Sequence, residues 1–510
     1  MTKQGGKRRL GIGGYSAPAG LSWRDAAGAA TAAGLAVVLA LAPLSWGILI
    51  VGGALAVGIT LIRPALGLGF LALLVPFGSL REVPLGPASV GLAEFYALFV
   101  IAAWCMYMVA WRRVWMAPSR LWPLFGLLVA AMLVSITQAL SLSYAVKELS
   151  KWLEFGAVML CAASLPNAGE RKVVLGASLT AGIAAALLGW YQFLRGVGPE
   201  GFILFGRFMR AYGTFRQPNP YAGYLGIILP AALALIISYW PWRAGASWGE
   251  RVLWLLGAAG VLTMGPAMLM SWSRGGWFGA AAAVLTVLVL RGRRAAFLTM
   301  LAVLVLAGVF IVMELGRVLP ASLVLRVTDF TDYFTLGDVS DVVPTPANWA
   351  VVERLAHWQA AERMFSEHPW LGVGIGNYEP VYPAYRLPRW PEPLGHAHNY
   401  YLNIAAETGL FGALAYVLFW AGAAWQAWQA RRRSAGIWRG LALGVLGVIA
   451  HLSVHNLFDN LYVQGIYLQI ALWLGLIIPL ARASAHEERD TVHVEAGGLG
   501  VGLSRKDAPV

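Results

Sequence analysis

The segment NPYAGYLGIILPAALALIISYW, residues 219–240, contains no charged side chain. A helix of about 20 apolar residues crosses a bilayer core, and this segment has that length and composition. Comparable apolar stretches recur along most of the chain. They lie near residues 26–42, 45–62, 64–80, 90–111, 120–138, 144–164, 172–194, 219–240, 252–272, 275–290, 295–314, 401–429, 437–457 and 461–481. The pattern predicts an all-α fold, a polytopic integral membrane helical bundle with about 12–14 transmembrane helices.

The composition of the whole chain supports this prediction. Of its 510 residues, 59% are hydrophobic and 12% are charged, and the mean hydropathy is +0.65. Soluble domains carry about 25% charged residues, so a chain this long and this apolar could not keep a soluble surface hydrated. A transmembrane β-barrel is also excluded, because its strands alternate apolar and polar residues over about ten positions.

The net charge of +13 is distributed as in a membrane protein rather than a nucleic-acid-binding one. With a cytoplasmic N-terminus, the basic clusters between apolar stretches fall on the cytoplasmic side, loop after loop. The clusters are Lys3 with Lys7 to Arg9, Arg63, Arg112 with Arg113 and Arg120, Arg171 with Lys172, Arg243 with Arg251, Arg291 with Arg293 and Arg294, and Arg431 to Arg433 with Arg439. We therefore expect both termini in the cytoplasm, contact with membrane lipids, and no nucleic-acid partner.

The pattern divides the chain into five parts. Residues 1–25 are a cytoplasmic N-terminal segment, 26–314 a transmembrane region, 315–400 an extracytoplasmic loop with short helices, 401–482 the last transmembrane helices and 483–510 a disordered cytoplasmic tail. Within the loop, a helix is predicted from a cap at Asn348 to about Glu367. The start of the chain also resembles a signal peptide, but the apolar stretch continues into further spans and favours an uncleaved segment.

Polar residues gather at the outer ends of three spans. The groups are RAYGTFRQPN at 210–219, SRG at 273–275 and HAHN at 396–399. The charge argument for topology did not use them, yet it places all three on one face. Charge at a membrane boundary points to function, and the planar guanidinium of arginine suits phosphate oxygens. Two such arginines could hold a diphosphate without a metal.

His398 is the candidate for proton chemistry, because a neutral imidazole accepts a hydroxyl proton near pH 7. His396 and His398 also resemble a metal-binding pair. No cysteine or carboxylate lies at ligand spacing beside them, so we expect no metal and no cofactor. His451 and His455 lie four residues apart on one helical face near the same side. Helix packing is the simpler interpretation of these two, and a part in the site is the alternative.

The order of these motifs resembles the O-antigen ligase and polymerase superfamily. The chain has R-x-x-G-T-F-x-x-P-N from Arg210 to Asn219, S-R-G at 273–275, R-x-x-x-W and H-P-W-L-G-V-G-I-G-N-Y between 354 and 378, and H-A-H-N at 396–399. A ligase-type signature, His-Asn followed after nine residues by Gly and after two more by Gly, is met by His398, Asn399, Gly409 and Gly412. The motifs cover roughly residues 205–415.

The resemblance implies a metal-independent inverting glycosyltransferase of the bacterial inner membrane, with its active site on the periplasmic face. It would transfer a glycan from undecaprenyl diphosphate to an acceptor hydroxyl, as O-antigen ligases do with lipid A-core. By that likeness Arg210 and Arg274 would hold the donor diphosphate, with Arg216 as the alternative to Arg210. His398 would be the catalytic residue that activates the acceptor hydroxyl. The supporting residues would be His396, Asn399, Asn219 and Arg354.

Two alternatives stay open at this point. An O-antigen or exopolysaccharide polymerase of the same superfamily uses the same donor with a growing glycan as acceptor, and sequence barely separates it from a ligase. A flippase or transporter of lipid-linked glycans would bind the same anionic headgroup with the same arginines. That class predicts internal repeats and helices broken at the midplane, and the sequence shows neither.

Overall fold

A computed structural model gives the architecture and describes residues 44–80, 82–85, 88–112, 116–165, 167–242, 245–312, 338–345 and 348–482. The chain divides into two units, residues 1–59 and residues 60–510. The described part of the first unit belongs to helix α1 (Leu44–Ile62). The predicted N-terminal segment 1–25, the stretch 26–42 and the predicted tail 483–510 lie outside the described residues.

The second unit is mainly helical. Its described helices are α2 (Pro64–Leu74), α3 (Leu92–Ala110), α4 (Leu121–Ser135), α5 (Leu142–Ala163), α6 (Ala168–Arg195), α7 (Pro218–Ser238), α8 (Trp248–Met270), α9 (Arg274–Leu290), α10 (Arg293–Val312), α11 (Trp349–Glu367), α12 (Tyr378–Tyr385), α13 (Tyr400–Arg433), α14 (Gly436–His455) and α15 (Ile466–Leu480). Two antiparallel hairpins pair β1 (Glu82–Leu85) with β2 (Ala88–Gly91) and β3 (Ile203–Leu204) with β4 (Phe208–Met209). Short 3-10 turns cover Val75–Leu80, Ile136–Gln138 and Glu200–Phe202. The predicted all-α fold class is confirmed.

Seven of the described helices are long and apolar enough to cross a membrane. They are α3, α4 with the turn that follows it, α6, α7, α8, α13 and α14. Shorter apolar helices include α9, α15 and α2 with its following turn. Each predicted stretch from 45–62 onward coincides with a helix to within a few residues. The polytopic helical membrane protein is thus confirmed, and the number of passes stays a prediction.

Large apolar side chains cover the outside of the bundle. Leu262 on α8 is 71% exposed and Leu304 on α10 is 70% exposed, and both have exposed apolar neighbours on their helices. Soluble monomers rarely expose an apolar surface of this extent to water. In a membrane, lipid tails contact such a surface without a hydration penalty. The outer faces of these helices are therefore the lipid-facing ones.

The centre of the bundle is built by α7, α14 and α15, most of whose side chains are buried. α7 packs along α14, and α9 packs against both. Small residues allow the backbones to approach closely, since a Cβ at Gly444 of α14 would lie 2.5 Å from the Cα of Ala231 of α7. Tight packing fixes the ends of α7, α9 and α14, where the polar motifs lie.

The predicted loop helix is present as α11 and ends at Glu367, as expected. Asn348 occupies the N-cap position but does not cap the helix with its side chain. Its Oδ1 accepts a hydrogen bond from the backbone N–H of Thr345 at 2.6 Å instead. The side chain therefore closes the turn that precedes α11, and the proposed capping by Asn348 is wrong.

Candidate functional site

Two of the three polar motifs line one open cleft at the end of the bundle where α7 and α9 begin and α14 ends, and the third motif, at 396–399, lies beside this cleft next to Asp459. The cleft opens to solvent and spans about 730 Å³, open space at its mouth included. Its polar wall comes from four separate parts of the chain. The polar lining residues are Arg210, Asn219, Ser273, Arg274, Arg354, His455 and Asp459. Among the described residues, three guanidinium groups thus share the cleft with one carboxylate, so this part of the lining carries a net positive charge.

Arg210 is held in place before it meets any ligand. Its Nε donates to the carbonyl of Ser271 at 2.9 Å, and its Nη2 donates to the Oδ1 of Asn219 at 3.1 Å. Asn219 lies in the first turn of α7, so the motif pairs an arginine with the side chain that orients it. A preorganised guanidinium loses less freedom when it binds an anion.

Arg216 lies elsewhere. Its Nη2 is 3.0 Å from the Oε2 of Glu82 in β1, and its side chain is 59% exposed. It is not among the residues that line the cleft. The sequence left Arg210 and Arg216 as alternatives, and the geometry places Arg210 with the other arginines.

Arg274 is the first residue of α9. The hydroxyl of Ser273 caps this helix by accepting a hydrogen bond from the N–H of Gly276 at 3.3 Å. A helix N-terminus carries a partial positive charge, which adds to the charge of the guanidinium. The short SRG turn thus directs two sources of positive potential to the same wall of the cleft.

Arg354 of α11 contributes the third guanidinium that lines the cleft. Its Nη1 donates to the carbonyl of Ala350 at 2.7 Å, one turn earlier in the helix. Its Nε is buried and has no hydrogen-bond partner within the described ranges. Because buried donors are nearly always paired, this atom is suited to an anionic ligand.

His398 lies beside the cleft, next to Asp459. The Oδ1 of Asp459 is 3.9 Å from the Nδ1 of His398 and 3.7 Å from the Nε2 of His396. Both ring nitrogens of His398 are buried, and neither has a hydrogen-bond partner in the described part of the chain. Trp358, which lines the cleft, donates from Nε1 to the carbonyl of His398 at 3.4 Å. The imidazole of His398, whose ring nitrogens lack a hydrogen-bond partner among the described residues, therefore lies at the rim of the cationic cleft.

The backbone around His398 is strained and well supported. His398 has a φ of +52°, which is uncommon for a residue with a Cβ. Asn399 caps α13 by accepting from the N–H groups of Tyr401 and Leu402. The N–H of Tyr400 donates to the carbonyl of Asn456 at 2.8 Å, which joins this segment to the end of α14. Asn399 thus serves the site by fixing the backbone, and strain of this kind is common at functional sites.

Gly409 of the ligase-type signature interrupts α13 with a φ of +64°. Any Cβ there would overlap the backbone of Trp370. The N–H of Leu410 donates to the carbonyl of Pro369, and the N–H of Val373 donates to that of Ala406. The glycine therefore lets the chain that follows α11 dock against α13.

The titratable groups divide into one ionised carboxylate and several neutral rings. Burial opposes ionisation of Asp459, but its contacts with His398, His396 and His455 outweigh burial and hold its pKa below the usual value. Burial, followed by repulsion from His398, lowers the pKa of His396 to about 3. At neutral pH the cluster therefore contains an ionised carboxylate that faces the neutral imidazole of His396.

His357 is a neighbour that the sequence did not indicate. Its ring stacks on Tyr382 with centroids 4.7 Å apart and meets the ring of His398 edge to face at 5.7 Å. Its Nδ1 lies 2.8 Å from the hydroxyl of Tyr378. Burial and the nearby His398 and His396 lower the pKa of His357 to about 3, so it stays neutral. Its ring therefore packs against His398.

Asp459 is the other residue that sequence reasoning missed. It lies in the turn between α14 and α15, far along the chain from His398, and is buried. Its place in the sequence could have indicated a role, since Asp459 is the one acidic residue between the last two apolar stretches. It follows His451 and His455 at the same four-residue interval.

His396, His398 and Asp459 place possible metal-ligand atoms within 4.8 Å of one another. The fold thus supplies the carboxylate that the sequence lacked beside the histidines. The hydrogen bonds disagree with a metal, because the Nδ1 of His396 accepts the N–H of His398 at 3.0 Å. A neutral ring then carries its proton on Nε2, the atom that faces Asp459, and a protonated nitrogen cannot ligate. The set fits a hydrogen-bonding array better, and the absence of a metal stays a prediction.

The fold and the site define a multi-pass helical membrane protein with a cationic cleft and an adjoining histidine–aspartate cluster. Residues 259–417 match the model of the family described as O-antigen ligase. The matched range contains Arg274, Arg354 and His398, so this part of the chain is similar to the O-antigen ligase family. A comparison with curated proteins gives no match.

Proposed function

We propose that the protein is an O-antigen ligase-like glycosyltransferase that moves a glycan from a polyprenyl diphosphate to an acceptor hydroxyl. The observation that carries this proposal is the convergence of Arg210, Arg274 and Arg354 on one cleft, with His398 at its rim. The match of residues 259–417 to the O-antigen ligase family supports glycosyl transfer as the reaction type.

The chemistry follows from the charges. The donor diphosphate binds to the guanidiniums of Arg210 and Arg274, and Arg354 covers it from α11. As the bond between the anomeric carbon and the phosphate oxygen breaks, its electron pair stays on that oxygen. Fixed cations stabilise this growing charge more than the ground state, which lowers the barrier. His398 takes the proton of the acceptor hydroxyl as its oxygen attacks the opposite face of the sugar, so the anomeric configuration inverts.

The ends of the helices that form the cleft support a position for it on the periplasmic side. α9 begins at the cleft with Arg274 and reaches the basic cluster at Arg291 after its last turn. α13 begins beside His398 and ends in Arg431 to Arg433. Basic clusters mark the cytoplasmic side, so the opposite ends of these helices face the periplasm of the inner membrane. Lipid-linked glycans would reach the cleft from that leaflet.

In vitro transfer from an undecaprenyl-diphosphate glycan tests the proposal. Purified protein is incubated in EDTA with either lipid A-core or a second lipid-linked glycan as the acceptor. We expect product in the presence of EDTA, because the cationic groups belong to the chain. Product on lipid A-core identifies a ligase, and product on the second glycan identifies a polymerase. The flippase alternative predicts that the protein moves a lipid-linked glycan across the membrane of a vesicle and forms no product on either acceptor. That result would contradict the proposal.

Replacement of Asp459 by asparagine is expected to lower kcat/KM by about tenfold, which corresponds to about 1.4 kcal/mol of lost stabilisation of the protonated base. The lowered pKa of Asp459 keeps the wild-type carboxylate ionised throughout the assay range. The carboxylate lies 3.9 Å from the Nδ1 of His398, so its removal takes away a favourable charge beside the group that accepts the proton in the transition state. The measurement is kcat/KM at fixed pH, together with the thermal stability of the purified variant.

Asp341 offers a matched control, because it is exposed and lies in the polar loop before α11. Its replacement by asparagine removes the same charge without touching the cleft and should leave kcat/KM unchanged. A loss of activity in Asp459→Asn that is matched by an equal loss of folded protein would show that Asp459 acts only on folding.

A further inference from the structure

Trp358 joins the arginine cleft to the proposed base. It lies in α11 and lines the cleft together with Arg210 and Arg274. Its indole Nε1 donates to the carbonyl oxygen of His398 at 3.4 Å. In the proposed mechanism the arginines hold the diphosphate and His398 takes the acceptor proton, which leaves this ring without a role. The indole therefore lies where the cleft meets His398, at a position that the mechanism does not use.

The packing of α11 fixes the position of the indole. Arg354 precedes Trp358 by four residues, so both side chains project from one face of the helix, and both line the cleft. Ala356 and His357 are buried instead, and the ring of His357 stacks on Tyr382 with centroids 4.7 Å apart. Because these buried residues anchor the helix, Trp358 is held at the wall of the cleft.

Two more aromatic side chains line the cleft, Phe278 and Phe458. Their rings pack against each other with centroids 6.0 Å apart. A phenyl ring has no polar atom, so among the three aromatic residues of the described lining Trp358 is the one that a hydrogen bond joins to His398. An aromatic surface of the cleft is thus attached directly to the segment that carries the proposed base.

The reaction defines which part of the donor must lie beside this surface. The anomeric carbon of the donor carries the diphosphate, and the acceptor oxygen attacks that carbon from the opposite face. With the diphosphate on Arg210 and Arg274 and the acceptor hydroxyl at His398, the first sugar ring lies between these groups. The wall of that space includes Trp358, which lines the cleft and is bonded to the backbone of His398.

A pyranose ring and an indole have complementary faces. One face of many pyranoses carries C–H groups whose hydrogens bear a small positive charge, whereas the face of an aromatic ring is negative. Stacking the two rings also removes apolar surface of both from water. Ligand sites commonly combine aromatic walls with a few fixed polar groups, and the guanidiniums are the polar groups of this cleft.

We propose that Trp358 binds the first sugar of the lipid-linked donor by stacking on the C–H face of its pyranose ring. This inference rests on the proposed function, because it concerns the donor of the same cleft. Stacking fixes the plane of the sugar, and with it the direction in which the anomeric carbon faces His398. The contribution of Trp358 therefore depends on the sugar and is absent for the undecaprenyl diphosphate that leaves.

Two substitutions of Trp358 separate the aromatic ring from its N–H. Trp358→Ala removes both, whereas Trp358→Phe keeps an aromatic face and loses the donor to His398. The Kd of the purified full chain is measured for undecaprenyl diphosphate and for undecaprenyl diphosphate that carries one glucose. For the glucosylated lipid we expect about tenfold weaker binding by Trp358→Ala and near wild-type binding by Trp358→Phe. Neither variant should change the Kd of the unglycosylated lipid.

Trp349 of the same helix gives the matched control. It is 49% exposed and is not among the residues that line the cleft. Nine positions, or about two and a half helical turns, separate it from Trp358, so the two side chains lie on opposite sides of α11. Trp349→Ala should bind both lipids with wild-type affinity.

Equal weakening for both lipids in Trp358→Ala would overturn the proposal, because the ring would then act on the cleft as a whole. A loss in Trp358→Phe as large as that in Trp358→Ala would also overturn it, because the N–H would then be the important group. If Trp358→Ala does not fold, Trp358→Leu keeps apolar volume without an aromatic face and carries the same expectation. Unchanged binding of the glucosylated lipid by Trp358→Ala contradicts only the role of Trp358. Absence of undecaprenyl diphosphate binding by the wild type would reject the proposed function and this inference with it.

Discussion

Replacing His398 by alanine is expected to lower kcat for glycan transfer by about a hundredfold to ten-thousandfold, the usual contribution of a general base. The acceptor hydroxyl is a weak nucleophile unless its proton is taken as the new bond forms. Both ring nitrogens of His398 are buried without a partner in the described part of the chain, so the ring is suited to that proton. The measurement is single-turnover transfer from an undecaprenyl-diphosphate glycan, together with the Kd of the donor, which should not change.

His368 provides the matched histidine control. It is exposed at the end of α11 and lies outside the cleft. His368→Ala should transfer glycan at the wild-type rate. Undiminished turnover by folded His398→Ala would remove the base from the mechanism. A parallel loss of donor binding would instead mean that His398 maintains the shape of the cleft.

The components of the cleft that could be predicted from the sequence are those at helix ends. Membrane spans are a local property of about 20 residues, and the positive-inside rule then orders their ends. Those two rules were sufficient to place Arg210, Arg274 and His398 on one face. They could not choose between Arg210 and Arg216, because six residues along an irregular segment change the direction of a side chain. The ion pair of Arg216 with Glu82 depends on how the β1–β2 hairpin folds.

The residues that contact His398 could not be predicted from the local sequence pattern. Asp459 reaches His398 only because the turn after α14 packs on the start of α13, through the bond from Tyr400 to Asn456. The same contact overturns the argument that no carboxylate lies beside His396, since spacing along the chain does not report spacing in the fold. Gly409 was recognised as a motif residue, but its physical role required the close approach of Trp370 to be known.

Removal of Arg210 or of Arg274 is expected to have the second large effect. Arg274→Ala and Arg210→Ala should each lower kcat/KM by about a hundredfold to a thousandfold, the cost of losing one preorganised group that stabilises developing negative charge. Arg274→Lys should recover only part of this loss, because an ammonium keeps the charge but not the planar fork that holds two phosphate oxygens. Steady-state kinetics with varied donor concentration gives the values.

Arg216→Ala is the control for the arginines, since it removes an equal charge from the same segment outside the cleft. Its exposed ion pair with Glu82 contributes about 1 kcal/mol or less, so the variant should fold and transfer glycan almost normally. Losses of similar size in Arg210→Ala and Arg216→Ala would mean that only the overall positive potential of the segment matters. A loss of activity confined to Arg210→Ala would mean that the position of the guanidinium in the cleft determines the rate. The bonds of Arg210 to Ser271 and Asn219 favour this second result, because they hold its guanidinium in the wall that it shares with Arg274.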